Sequence, residues 1–289
     1  MKPGWKARVI LFVALAFSLS WALDLLNWRL GGTANPANAT FLLFLVLAMF
    51  GPGVAAAIML DLVSREGLRS AGLRWGPWRY YLIAYFLVLG MALAIYALTL
   101  LLGLGRLDRE ALTLTQRLQS FGVAPAPAPG VLLPLFLGVT LTSAVLVNAL
   151  YAFGEELGWR GYLLPSLLPL GKLRACLISG AVWGVWHTPL ILMGHLYPGY
   201  PLWGILLITL MTIFLGIIFG WLRLASGSLL PPTLAHAALN AQVLFFPSFL
   251  VVGVNPVLGG GTGVVGLGVM ALVALGIYLT GRLRETPQD

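Results

Sequence analysis

Charged residues are scarce in this sequence. Only 9% of the 289 residues are Asp, Glu, Lys or Arg, and 60% are hydrophobic, whereas a soluble domain usually carries about 25% charged residues. A chain of this size cannot hide so much apolar surface in one core. The composition therefore excludes an ordinary soluble domain and indicates that lipid surrounds much of the chain.

Cysteine, histidine and acidic residues are also rare. The chain has one cysteine, Cys176, which excludes an internal disulfide, and three histidines. Nine acidic residues face seventeen Lys and Arg, for a net charge of +8. The basic residues lie in short connections between apolar runs, so membrane orientation and anionic head groups explain them better than nucleic acid does.

Long apolar stretches dominate what remains. Eight of them can cross a hydrocarbon layer of about 30 Å, which takes about 20 helical residues. They are 7–28, 40–63, 80–104, 131 into the 150s, 175–195, 202–222, 229–250 and 257–281. We predict an all-α fold, a polytopic membrane helix bundle of about eight transmembrane helices, as a single membrane domain over residues 1–289. A cleaved signal peptide could begin like the basic N-terminus, but the first apolar run favours a retained helix.

The basic residues predict the orientation of the bundle. With the N-terminus in the cytoplasm, four of them fall outside: Arg29, Arg106, Arg109 and Arg117. The other thirteen fall inside: Lys2, Lys6, Arg8, Arg65, Arg69, Arg74, Arg79, Arg160, Lys172, Arg174, Arg223, Arg282 and Arg284. This positive-inside bias predicts an integral membrane protein with both termini in the cytoplasm, expected in a bacterial inner (plasma) membrane.

Charged residues close the fourth stretch, in the sequence GEELGWR at 154–160. Glu156 and Arg160 are four residues apart and can pair on one helix face. Adjacent helical residues point about 100° apart, so Glu155 faces elsewhere and is free for chemistry. The alternative is an interfacial charge cluster without a catalytic role.

Two histidines lie inside later stretches. His187 ends the sequence WGVWH, about 18 Å beyond Ala175 along a regular helix, where an imidazole is a candidate base, acid or ligand. His236 and Asn240 are four residues apart, share a helix face and can donate hydrogen bonds to one point. For both motifs, a structural hydrogen bond between helices is the alternative.

Glu155 and His187 can lie at the same depth in the membrane only if the fourth helix is long. A helix that runs through Arg160 toward Pro165 would place Glu155 about 7 Å inside its end, and we predict that extension. Small residues spaced by four also predict close approach of the helices that carry the motifs. The pairs are Gly154/Gly158, Gly180/Gly184 and Gly216/Gly220.

Three motifs follow one another on successive helices: Glu-Glu-x-x-x-Arg, aromatic-x-x-x-His and His-x-x-x-Asn. In this order they resemble the motifs of a known family. It is the CAAX protease and bacteriocin-processing family of intramembrane proteases, CAAX prenyl endopeptidase type. The resemblance centres on a core motif region, 131–250. One departure is Trp183, where the family more often has Phe, and we expect it to affect packing more than chemistry.

The resemblance implies a membrane-embedded peptidase. It would hydrolyse a peptide bond of a membrane-associated peptide or protein, including prenylated CAAX-type substrates, near the cytoplasmic face. Carried over by position, Glu155 and His187 activate the attacking water, while His236 and Asn240 stabilise the oxyanion. The expected partners are the lipid bilayer and such a substrate, and not nucleic acid.

The resemblance also implies two supporting residues and a possible metal cofactor. Glu156 and Arg160 hold the site together. Glu155, His187 and His236 can form a three-ligand Zn²⁺ site with water as the fourth ligand. A metal-free glutamate mechanism also fits the family, and the sequence lacks His-Glu-x-x-His. Both mechanisms are therefore open at this point.

Two other functions are alternatives to a peptidase for a membrane protein with a buried polar cluster. A non-catalytic membrane scaffold or immunity protein of the same fold would not need the intact set of motifs. A small-molecule transporter can use buried Glu and His, but transporters often show repeated halves and broken helices. The sequence shows no clear internal repeat, which favours the peptidase.

Overall fold

The computed structural model describes residues 4–32, 38–120, 122, 125–245 and 247–284. Its α-helices are α1 (Trp5–Arg29), α2 (Ala39–Ile58), α3 (Arg79–Leu101), α4 (Leu112–Ser120), α5 (Pro129–Leu141), α6 (Ser143–Glu156), α7 (Leu164–Leu167), α8 (Lys172–Trp186), α9 (Thr188–Leu192), α10 (Pro201–Ser226), α11 (Leu230–Ala238), α12 (Pro247–Leu250) and α13 (Val264–Leu279). The fold is a polytopic bundle of membrane helices, as predicted.

Shorter elements join these helices. The π-helical segments are Met59–Ser64, Leu157–Leu163 and Leu239–Phe245, and the 3-10 turns are Leu68–Ala71 and Leu168–Leu170. The two-residue strands β1 (Arg106–Leu107) and β2 (Val251–Val252) pair antiparallel, with Arg106 opposite Val252. This pairing joins the connection after α3 to the residues directly after α12.

Five of the described helical segments are long and apolar enough to cross a membrane by themselves. They are Trp5–Arg29, Ala39–Ser64, Arg79–Leu101, Pro129–Leu170 and Pro201–Ser226. The three remaining predicted stretches hold shorter helices, namely α8 with α9, α11 with the π-helical turn after it, and α13. Each predicted apolar stretch thus contains helix, but not each one is a single long helix.

The outer surface of the bundle is apolar. Leu101 is 81% exposed, Leu202 is 79% exposed and Leu272 is 70% exposed. Side chains of this kind would be unfavourable in water at such density. They fit a surface that contacts lipid chains instead.

The predicted extension of the fourth helix is confirmed. Helical structure continues from α6 through the π-helical turn Leu157–Leu163 into α7, so Glu155 lies well inside a helical segment. The π-helical turn is a feature that spacing did not predict. Such turns are rare and are often found at functional sites.

The fifth stretch was predicted as one helix up to His195, and this is wrong. Helix α8 ends at Trp186, His187 is its C-cap, and α9 begins at Thr188. Pro189 explains the break, because a proline removes a backbone donor and restrains the residue before it. The last helix also starts later than predicted, at Val264, because the residues before it form glycine-rich turns.

Glycines let the site-bearing helices touch. A Cβ at Gly180 would lie 2.5 Å from the carbonyl oxygen of Thr212, and one at Gly184 would lie 2.5 Å from Cα of Thr209. A Cβ at Gly158 would overlap Cβ of Pro52. Only hydrogen fits at these contacts, so α8 rests directly on α10 and the end of the α6 segment rests on α2.

Arg223 near the end of α10 links two parts of the basic face. Its Nη2 donates to the carbonyl oxygen of Ala71 at 3.2 Å, and its Nε donates to the carbonyl oxygen of Arg160 at 3.2 Å. Ala71 belongs to the arginine-rich connection 65–78, where Trp75 is 85% exposed. The π-helical turn that carries Arg160 therefore lies at the same end of the bundle as this connection.

Candidate active site

Two adjacent carboxylates sit at the end of α6, just before the π-helical turn. Glu155 is 3% exposed and Glu156 is fully buried. Because neighbouring helical residues point in different directions, the two side chains meet different partners. The structure thus bears out the divergence of the two carboxylates expected from their spacing.

Glu156 accepts hydrogen bonds from two other motif residues. Arg160 Nη1 lies 2.7 Å from Glu156 Oε1, which confirms the predicted pairing within the helix. His236 Nδ1, from α11, lies 2.9 Å from the same oxygen. All three side chains are buried. Glu156 therefore joins the first motif to the third, a contact that the sequence did not predict.

Glu155 has tryptophan partners instead. Trp183 Nε1 donates to Glu155 Oε2 at 2.7 Å, and Trp159 Nε1 lies 3.5 Å from the same oxygen, at the limit of a hydrogen bond. The expectation that Trp183 affects packing more than chemistry did not include this contact. Its ring nitrogen binds the carboxylate directly, and a phenylalanine has no group that could do so.

The Trp183 ring is also the common neighbour of three other groups. Its centroid lies 5.1 Å from the His236 ring and 6.0 Å from the His187 ring. The guanidinium carbon of Arg160 lies 4.4 Å from the ring centroid, a cation–π contact. Together with Glu155, these contacts bring side chains from α6 and its π-helical turn, from α8 and from α11 around one ring.

His187 lies at the break between α8 and α9. Its Nδ1 is 2.9 Å from the carbonyl oxygen of Trp183, and its ring packs edge-on against Trp186 at 4.8 Å. The side chain is half-buried, unlike that of His236. The ending of α8 at this residue therefore places a half-buried imidazole at the edge of the cluster.

Hydrogen-bond partners assign the proton positions on both imidazoles. A carbonyl oxygen only accepts, so Nδ1 of His187 carries a hydrogen. The Glu156 oxygen that accepts from Arg160 also lies 2.9 Å from Nδ1 of His236, and as an acceptor it assigns a hydrogen to that nitrogen too. In its neutral form, each ring then presents Nε2 as a lone pair, which can accept a proton or a hydrogen bond.

Asn240 lies in the π-helical segment Leu239–Phe245 and is half-buried. It makes no hydrogen bond to another described residue, and no ring contact joins it to the Trp183 cluster. Its position four residues after His236 keeps it on the same helical segment. Its role at an oxyanion stays a prediction.

The three candidate zinc ligands do not form a ready metal site. Within the ranges that the structure describes, no three His, Cys, Asp or Glu side chains are grouped so that they could hold a metal ion. Trp183 binds Oε2 of Glu155 and each histidine Nδ1 has a partner, which leaves Oε1 of Glu155 and the two Nε2 atoms for a ligand. As placed, these side chains are not grouped around one point, so they do not fit a resident zinc ion.

Sequence reasoning missed two aromatic residues of the cluster. Phe219 of α10 lies 6.1 Å from the Trp183 ring and 5.8 Å from the His236 ring, measured between centroids. Trp159 packs against Trp186 at 5.9 Å. Trp183 lies four residues before His187, and this spacing indicated that the two rings are neighbours. The hydrogen-bond partner of Trp183, Glu155, lies in another helix, so spacing could not predict that contact.

These features define a class: a polytopic helical membrane protein with a buried carboxylate, histidine and arginine cluster at the meeting point of three helical segments. Residues 137–242 match the family model described as type II CAAX prenyl endopeptidase Rce1-like. This core region is therefore similar to the CAAX protease family that the motifs resemble.

A curated relative agrees with this assignment. The chain is 34% identical over 92 residues to a CAAX prenyl protease 2 of Methanococcus maripaludis, a stretch that makes up 30% of this chain. That stretch covers 34% of the relative, so the match spans about a third of that protein's length. The match therefore shows a similarity over part of each chain.

Proposed function

We propose that this protein is an intramembrane endopeptidase that hydrolyses a peptide bond of a membrane-associated peptide or protein. The observation that carries the proposal is the buried cluster in which Glu155, His187 and His236 surround Trp183. Ionisable groups are unfavourable inside a membrane and therefore indicate function. Amide hydrolysis requires a base and hydrogen-bond donors, which a carboxylate and imidazoles can supply.

Glu155 is the proposed general base. Its Oε2 accepts the indole hydrogen bond, whereas its Oε1 has no hydrogen-bond partner among the described residues. Oε1 can therefore take a proton from water, while Nε2 of His187 accepts the second hydrogen of the same water. A water held in this way directs a lone pair at the substrate carbonyl carbon. General base catalysis contributes about 10²- to 10⁴-fold to the rate.

His236 and Asn240 are the proposed donors to the oxyanion. As the water oxygen bonds to the carbonyl carbon, negative charge develops on the carbonyl oxygen. Asn240 can donate through its amide. His236 can donate from Nε2 when that nitrogen carries a hydrogen, while its Nδ1 contacts Glu156. Removal of one oxyanion donor typically costs about 10²- to 10³-fold in kcat.

The remaining steps return the site to its starting state. Collapse of the tetrahedral intermediate breaks the carbon–nitrogen bond, and the proton held by Glu155 passes to the leaving nitrogen. The products are a carboxylic acid and an amine. Arg160 holds Glu156 in place throughout, because their hydrogen bond is 2.7 Å long and buried.

The site is proposed to open toward the cytoplasm of a bacterial plasma-membrane protein with both termini inside. Arg223 joins the turn that carries Arg160 to the arginine-rich connection 65–78, and the positive-inside rule places such a connection in the cytoplasm. A substrate anchored in the inner leaflet would reach the site from that side. Since the Methanococcus relative is named a CAAX prenyl protease, prenylated C-terminal peptides are the substrate class to test first.

The test uses purified protein in detergent with a lipidated or strongly hydrophobic reporter peptide. Glu155→Gln should lower turnover at least about 100-fold, because it removes the base while keeping the side-chain shape. Glu66→Gln is the matched control, since Glu66 is half exposed and pairs with Arg8 at the surface. Its turnover should stay at the wild-type level.

Each outcome bears on a specific function. Equal turnover by Glu155→Gln and wild type would show that the proposed mechanism is wrong. Complementation of a deletion strain by Glu155→Gln would instead favour a scaffold or immunity role. Proton-linked uptake by proteoliposomes would favour a transporter.

A further inference from the structure

The mechanism proposed above leaves the orientation of Glu155 unexplained. The side chain has three rotatable bonds, and a general base must be held close to its productive geometry. The neighbouring motif residues bind Glu156 and not Glu155. Trp183 provides the short hydrogen bond to Glu155, at 2.7 Å.

That hydrogen bond is of the strong kind. A hydrogen bond to a carboxylate is charge-assisted, and burial away from water strengthens it further. Trp183 is 2% exposed and Glu155 is 3% exposed. An indole nitrogen can only donate, so the contact holds the carboxylate without competing for its proton.

The Trp183 ring is itself held from several sides. The guanidinium of Arg160 lies 4.4 Å from its centroid, and the rings of His236 and Phe219 lie 5.1 and 6.1 Å away. The helix that carries it is seated on α10 through Gly184. Trp183 is therefore a fixed donor and not a mobile side chain that happens to face the carboxylate.

We infer that Trp183 is the positioning residue for the general base. Its indole N–H fixes Oε2 of Glu155 and so turns Oε1 toward the water near His187. This inference rests on the proposed function, because it assigns Trp183 a part in the same reaction. The substitution Trp183→Phe would fill most of the same space but would leave Glu155 without its short hydrogen bond.

Trp159 offers a matched control. Its Nε1 approaches the same carboxylate oxygen at 3.5 Å, where a hydrogen bond contributes little. It is fully buried and packs against Phe12 and Trp186, as a structural tryptophan would. Trp159→Phe therefore removes an indole N–H of similar burial without removing the short bond.

The experiment compares Trp183→Phe, Trp159→Phe and wild type on the reporter peptide. Trp183→Phe should lower kcat by about 10- to 100-fold, the range expected for loss of a hydrogen bond to a charged group, with KM within about twofold of wild type. Trp159→Phe should lower kcat by clearly less than Trp183→Phe does, because its contact with Glu155 is at the limit of a hydrogen bond. Equal kcat for the two variants, or a loss confined to KM, would overturn the inference. Size-exclusion profiles and thermal midpoints identify any variant that misfolds.

A second measurement does not depend on activity. With ¹⁵N-labelled indoles, the chain gives one Nε1–H signal for each of its ten tryptophans, and the signal lost in Trp183→Phe identifies Trp183. Glu155→Ala should move that signal upfield and leave most others in place. A signal that does not respond would refute the contact. If the signal responds but Glu155→Gln still turns over substrate, the contact stands and the proposed function fails.

Discussion

Replacing Glu156 by alanine removes a carboxylate that Arg160 and His236 both contact inside the bundle. Arg160 is 1% exposed, its Nη1 lies 2.7 Å from Glu156, and its Nη2 has no hydrogen-bond partner among the described residues. The variant therefore leaves a buried guanidinium without its hydrogen-bonded counter-charge. Breaking one side of a buried ion pair costs about 3–5 kcal/mol, and we expect the free energy of unfolding to fall by that amount.

A double variant separates stability from activity. Glu156→Ala with Arg160→Met removes both charges and fills the space of the arginine stem with apolar atoms. Replacing a whole buried ion pair by apolar side chains is often neutral or stabilising. We expect the double variant to regain most of the lost stability. Turnover should stay low, because His236 has still lost its carboxylate partner.

The measurement is reversible unfolding in mixed micelles, titrated with a denaturing detergent, alongside turnover of the reporter peptide. Glu66→Ala serves as the control, because it breaks an ion pair of 3.1 Å at the surface. Exposed pairs contribute about 0–1 kcal/mol. The reasoning fails if Glu156→Ala costs no more than Glu66→Ala, or if the double variant is as unstable as the single one.

Two further predictions concern parts of the bundle away from the cluster. Gly180→Ala should destabilise the protein by about 1–3 kcal/mol, because its new Cβ would lie 2.5 Å from a backbone oxygen of α10. The control is Gly276→Ala, whose new Cβ meets nothing within 4 Å and should be tolerated. Equal unfolding midpoints for the two variants would contradict this prediction. Asp108 lies in the connection outside the spans and caps α4, and the hydrogen bond from the backbone N–H of Thr113 at 2.8 Å lowers the pKa of this carboxyl. The stability that this cap contributes is fully present above the ordinary pKa of an aspartate and is lost as pH falls through the lowered pKa. Amide exchange at the start of α4 should therefore speed up in acid relative to its intrinsic rate. Asp108→Asn should make this pH dependence disappear. A pH dependence unchanged in Asp108→Asn would exclude the capping explanation.

Local spacing predicted those contacts that lie within one helix. Glu156 and Arg160 pair as expected from their separation by four residues, and the fourth helix continues past Arg160. Helical geometry places such residues side by side whatever the rest of the fold does. The prediction that Glu155 faces away from this pair was right for the same reason.

Breaks within helices were predicted less well. The sequence contains Pro189, and this signal was enough to expect an interruption near His187. The π-helical turns have no comparable sequence signal, since they arise from packing of the helix against its neighbours. One such turn holds Arg160 and another holds Asn240. The detailed direction of the Asn240 side chain therefore could not be derived from α-helical spacing.

Composition and charge by themselves determined that this chain lies in a membrane. They also made the ionisable residues inside the apolar stretches candidates for a site, because such residues are unfavourable in lipid. Only the tertiary structure decided which partner each carboxylate has. Trp183 and His236 are 28 and 80 residues away from the glutamates that they bind. Distance along a chain does not specify distance in space, so the packing of α8 and α11 against α6 made those choices.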